Sequence, residues 1–110
     1  MGLTKSDIFT KEQNKIASIA KVLGHPARIA ILQFLLKEQT CICGDLVIEI
    51  GLAQSTISQH LKEMKSIGLI KGNITGTKVC YCIDPITFNE IKMTFNSVFE
   101  NTIDKSNQCC

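Results

Sequence analysis

Apolar residues in this chain recur at helical spacing, and glycine cuts the pattern at regular points. That punctuation limits the fold more than any other feature. Between Lys11 and Leu23, the residues Ile16, Ile19, Ala20 and Leu23 fall three and four apart, on one stripe of a helix. Gly24 is expected to end that helix as a left-handed cap, and His25-Pro26 to open the next with proline in its first turn. The second helix should run to about Glu38. Ile29, Leu32, Leu35 and Leu36 form its stripe, and Ile31 and Phe34 widen it for burial on more than one side. A short third helix is predicted from about Asp45 to Ile50, stopped by Gly51, and a fourth from about Gln54 to Ile67, stopped by Gly68. Gly51-Leu52-Ala53 between them has the length of the turn in a helix-turn-helix.

After Gly68 the period changes. Leu69-Ile70-Lys71 and Lys78 to Ile83 read as two strands joined by a loop carrying Gly72, Asn73 and Gly76. In the second strand Val79, Tyr81 and Ile83 share one face, and Cys80 and Cys82 the other. Asp84-Pro85 announces a last helix with a carboxylate cap, and Ile91, Phe95, Val98 and Phe99 give it an apolar face. The order predicts a mainly α chain with a two-stranded β wing, a winged helix-turn-helix. Its terminal helices carry more apolar surface than so small a domain easily covers, so they are expected to build a homodimer, with ordinary core packing as the alternative. A length of 110 residues suits one domain. Residues 1–105 are read as that DNA-binding and dimerisation domain, and 106–110 as a flexible Cys-Cys tail.

No apolar run approaches the ~20 residues that cross a bilayer. Met1 to Lys15 lacks the apolar centre of a signal peptide, so a soluble cytoplasmic protein is expected. Catalysis is not. The two histidines, His25 and His60, have no Ser-Asp or Cys arrangement beside them, and there is neither a Cys-x-x-Cys pair nor a glycine-rich phosphate loop.

The fourth helix carries the informative face. Ile57, Leu61 and Met64 point inward at spacings of four and three, while Ser55, Ser58, Gln59 and Lys62 lie opposite. Hydroxyls and amides pair with base edges in a major groove, and Gln can bind adenine through two bonds. Gln54, Ser55 and Thr56 stand at the helix N-terminus, where free N–H groups attract phosphate. The net charge of +2 hides an asymmetry. Ala53 to Val79 holds Lys62, Lys65, Lys71 and Lys78 against Glu63 alone, whereas Asp84 to Cys110 holds four acids and two lysines. A solvated helix face is the bland alternative, but such faces are richer in Glu and Lys than in Ser, Thr and Gln. Double-stranded operator DNA is therefore the expected partner, with no cofactor required to bind it. The expected contacts are Gln54, Ser55, Thr56, Ser58, Gln59, His60, Lys62, Lys65, Lys71 and Lys78. His60 borders the apolar face, so packing or capping is an equal reading for it.

Lys21-Val22-Leu23-Gly24-His25-Pro26-Ala27-Arg28-Ile29-Ala30-Ile31-Leu32 resembles the second-helix entry of the ArsR–SmtB winged-helix repressors. Gly44-Asp45-Leu46, Gln54 through Leu61, and Gly68-Leu69-Ile70 are similar to that family's helix-turn-helix. The likeness covers about residues 16 to 84. It implies a homodimer that binds a palindromic operator and leaves it when an effector binds. Three departures stand out. Ala53 occupies a position where the family often has a capping Ser or Thr, and the wing is less Arg-rich than usual. No His follows Asp84, so the family's Asp, His and Glu site on the last helix is missing.

Six cysteines fall in three close pairs. Thiolates are soft ligands, suited to trivalent arsenic or antimony, Cd(II), Zn(II) and Cu(I). An extended Cys-x-Cys segment sends both sulfurs to one side, so Cys41/Cys43 and Cys80/Cys82 each read as a half-site. Cys109 and Cys110 lead as effector ligands because an adjacent tail pair has no packing rationale; Cys41 and Cys43 follow, then Cys80 and Cys82. The resemblance also implies sensing thiolates at the start of the third helix, although Cys41 and Cys43 stand four and two residues before Asp45, one further than is usual. The expected effector is As(III) or another thiophilic ion. A thiol-redox switch through disulfide formation is the alternative, and a cysteine that is only a small buried apolar group is the bland reading of any one of them.

Overall fold

In the computed structural model the described residues are 5–42, 44 and 46–103. They form α1 (Lys5–Ile8), α2 (Lys11–Leu23), α3 (Pro26–Glu38), α4 (Leu46–Ile50), α5 (Gln54–Ser66), β1 (Ile70–Thr75), β2 (Lys78–Ile83) and α6 (Pro85–Phe99). This is the winged helix-turn-helix order, with α1 as an addition. The expected tail, 106–110, lies outside the described residues, as do Cys43 and Asp45. Among the described residues no single helix is long and apolar enough to cross a membrane.

α3 is the central post, packing against α2, α4, α5 and β2. Its Ile31 and Leu35 meet Ile57 and Met64 of α5 and Leu69 beyond it, and these five are the most completely buried large side chains. Removing each from water stabilises the fold by roughly 1.5–3 kcal/mol, which is why the inward stripe fixes where α5 lies.

Two sequence expectations need correction here. Gly24 does not adopt a left-handed conformation; its φ is −79°, and its N–H donates to the Lys21 carbonyl at 3.3 Å. A Cβ there would sit 3.2 Å from the Ala20 carbonyl oxygen, so glycine serves the tight exit from α2 by its small size. Gly51 and Gly68 do take positive φ, at +78° and +75°, as their helix-stop roles require. In the wing, β1 runs on through Gly72 and Asn73, which were expected in the loop. The antiparallel register from Ile70↔Ile83 to Thr75↔Lys78 leaves only Gly76-Thr77 as the turn.

The wing also has a neighbour that local pattern did not suggest. Ile42, in the connector between α3 and α4, pairs with Tyr81 of β2. The Ile42 N–H donates to the Tyr81 carbonyl at 2.8 Å, and the Tyr81 N–H donates to the Ile42 carbonyl at 2.9 Å. β2 is thus bonded on both edges, tying the wing to the entrance of the helix-turn-helix.

Candidate nucleic-acid interface

α5 shows two faces. Ile57, His60, Leu61 and Met64 are buried, while Gln54, Ser55, Thr56, Ser58, Gln59, Lys62 and Lys65 are exposed. The helix begins at Ala53 without a side-chain cap, as its residue type implies, so the amides of the first turn have no side-chain acceptor at the cap position. Along the exposed face Gln54 donates to the Ser58 hydroxyl at 3.1 Å and Gln59 to a Glu63 carboxylate oxygen at 3.4 Å. These bonds hold the amides extended along the face, and base edges can replace them. Lys71 and Lys78 stand exposed on the two wing strands, and Lys65 reaches toward Gly72 of β1. The cations therefore flank the polar stripe rather than interrupt it.

His60 belongs elsewhere. Its ring is 7% exposed, and its Nδ1 accepts a hydrogen bond from Arg28 Nε at 3.0 Å, which places it on the buried side of α5 and agrees with the packing reading. The His25 ring lies 4.3 Å from it, centroid to centroid, tilted by 53°. His25 itself caps α3, its Nδ1 accepting from the Ala27 N–H at 3.1 Å. Burial first, then His25, then the Arg28 charge push the His60 pKa below its ordinary value, keeping the ring neutral near pH 7. Arg28 carried no assigned role in the sequence; no local pattern distinguishes it from a surface cation.

The cysteines divide differently from their spacing. Cys80 is 5% exposed and disulfide-bonded, while Cys41 and Cys82 are free thiols, the first exposed and the second half-buried. Cys41 and Cys82 come together across the connector and the wing. The side-chain amide of Asn73 donates to both sulfurs, at 3.5 Å to Cys41 and 3.6 Å to Cys82. Burial pushes the Cys82 thiol above its ordinary pKa; its hydrogen bond to Cys41 and the Cys41 charge add to this, and Lys71 and Asn73 oppose it. Asn73 was read as a loop residue, and only the strand register reveals it. Cys43, Cys109 and Cys110 lie outside the described residues. Among the described residues no three His, Cys, Asp or Glu side chains gather as a metal site.

Residues 25–71 match the model of the bacterial regulatory protein, arsR family. The HTH-type transcriptional regulator YgaV of Escherichia coli is 32% identical over 83 residues, covering 76% of this chain and 84% of that one. This chain belongs to the ArsR family. Another relative in the family, the HTH-type transcriptional repressor SmtB of Mycobacterium tuberculosis, is 36% identical over 63 residues, 57% of this chain and 46% of that protein. A crystal structure described as a "Possible transcriptional regulator for arsenical resistance" superposes with a TM-score of 0.65 at 26% identity, over 77% of this chain and 84% of the other. The relatives of this ArsR-family chain are DNA-binding transcriptional regulators rather than enzymes.

Proposed function

We propose that this ArsR-family regulator is a homodimeric repressor that holds a palindromic operator and leaves it when its cysteine thiols take up a thiophilic ion, As(III) above all. The observation that carries DNA reading is the outward face of α5. Amides and hydroxyls stand exposed from Gln54 to Gln59 on a helix with an uncapped N-terminus, with Lys62, Lys65, Lys71 and Lys78 around them. Repression is supported by the relative SmtB, which is described as a repressor. Dimerisation is supported by apolar side chains left outside: Ile8 and Phe9 before α2, and Met93, Val98 and Phe99 on α6, Phe99 being 78% exposed. Two reading helices about 34 Å apart would then meet successive major grooves. An arsenic effector is supported by the free thiols and by the similar structure described in connection with arsenical resistance.

A second reading keeps the DNA module and replaces the ion with oxidation. The disulfide at Cys80, beside a hydrogen-bonded pair of free thiols, favours it. One experiment separates the two. Fluorescence anisotropy of a labelled promoter fragment is followed in reducing buffer while As(III), Cd(II) and Zn(II) are added, then in chelator-treated buffer with peroxide. Release by a thiophilic ion, with affinity falling roughly 5- to 150-fold, is the expected result. Indifference to every ion removes metal sensing, and indifference to peroxide removes the redox reading.

A further inference from the structure

The antiparallel pairing of Ile42 with Tyr81 determines which cysteines meet. Because those two residues exchange both backbone hydrogen bonds, the next position along, Cys41 opposite Cys82, is of the non-hydrogen-bonded kind, where facing side chains approach most closely. The two free sulfurs share the Asn73 amide and are hydrogen-bonded to each other, and the Lys71 ammonium acts on Cys82 from the opposing strand. Cys82 also walls a cavity of about 340 Å3 whose lining includes Leu35, Leu36, Ile83 and Phe88. Two sulfurs are thus presented together, with a mainly apolar space next to one of them, whose wall Gln39, Thr40 and Asn89 complete. No third protein ligand stands nearby among the described residues.

We propose that Cys41 and Cys82 form a binding site for a trivalent arsenical that carries one organic substituent. The protein supplies two sulfurs and the substituent enters the cavity beside Cys82. The site spans two elements, so it differs from each of the within-segment pairs that spacing alone suggests. Capture is a balanced exchange with no oxidant: the As–O bond of R–As=O breaks, two As–S bonds form, and the two thiol protons leave with the oxygen as one water. Arsenic stays trivalent throughout. Occupation fixes the connector ahead of α4 to the second wing strand, so the segments before and after the α4–α5 pair are tied together. For its effect on DNA the site rests on the thiophile-released repressor proposed above; for capture it does not.

The test uses phenylarsine oxide on the reduced full chain, with iodoacetamide labelling read by peptide mass spectrometry. One equivalent should protect Cys41 and Cys82 together, lowering the labelling rate of each by at least about 10-fold. In Cys41→Ser, whose substituted side chain is exposed and so leaves the core intact, protection of Cys82 should vanish; a chain with Cys109→Ser and Cys110→Ser should keep it. Protection confined to other cysteines, or protection of Cys82 that survives Cys41→Ser, overturns the site. Phenylarsine oxide should also displace inorganic arsenite from the pair, and preferential capture of arsenite counts against the cavity's part. Operator binding is measured separately. Captured arsenical with no loss of operator affinity, or no operator binding at all, would leave the site standing and refute the repressor reading.

Discussion

α5 differs from the other three long helices at its first residue. α2 opens on Thr10, whose hydroxyl accepts from the Gln13 N–H at 3.0 Å while Gln13 reciprocates to the Thr10 N–H. α3 opens on His25, and α6 on Asp84, whose carboxylate accepts from the Ile86 and Thr87 N–H groups at 3.0 and 3.2 Å. α5 opens on Ala53 and has no such partner. A capping side chain is worth about 1 kcal/mol, so this helix is held by its buried face instead, and its N–H groups stay available. The three capped helices frame the domain, and the uncapped one presents its first turn outward.

That contrast can be broken or sharpened at four points. Ile57→Ala tests the buried face; it should cost about 2–5 kcal/mol in a denaturant titration, as a core truncation does. A loss below about 1 kcal/mol would mean α5 is not held from inside. Gln59→Ala tests the outer face. Operator affinity should fall by about 1–3 kcal/mol, roughly 5- to 150-fold, with melting temperature unchanged. Ala53→Ser supplies the missing cap and should raise stability by about 1 kcal/mol while weakening operator binding, because the new hydroxyl competes with phosphate for the same amides. Unchanged affinity alongside raised stability would show that the first turn does not meet the DNA backbone.

The fourth test concerns pH. The folded chain holds the His60 pKa below its ordinary 6.5, so below that value the unfolded chain binds a proton the folded one does not. Stability contributed by neutral His60 is present above about pH 6.5 and is lost as pH falls through the folded value. Urea midpoints measured from pH 7.5 downward should decline, and His60→Gln should flatten the decline.

The α5 helix and its buried face were legible in the sequence because everything that specifies them is local. Ile57, Leu61 and Met64 recur at helical spacing, Gly51 and Gly68 bracket the segment, and polar residues occupy the remaining face. The approach of Cys41 to Cys82 was not legible, for the opposite reason. Cys41 and Cys43 are two apart, as are Cys80 and Cys82, and spacing favours joining each to its near neighbour. The structure joins Cys41 to Cys82 through a bridge between residues 42 and 81, with Asn73 brought in by a third segment. Loop closure over such distances depends on the whole fold and leaves no periodic trace. His60 was left open in the sequence between packing and a DNA contact, because the partner that distinguishes them, Arg28, lies 32 residues earlier.

One guanidinium, that of Arg28, gathers three helices. Its Nη1 donates to the Val22 carbonyl at 3.0 Å as α2 ends, its backbone belongs to α3, and its Nε donates to His60 on α5. Because His60 Nδ1 accepts that bond, the neutral imidazole must carry its proton on Nε2, so the ring's tautomer is dictated from another helix. A lysine keeps the positive charge but forfeits the planar fork that reaches two acceptors from fixed angles. The helix with the exposed amides and hydroxyls is thereby moored, on its hidden side, to the joint where α2 turns into α3, and a tilt at that joint would be transmitted to its outward residues without any intervening loop to absorb it.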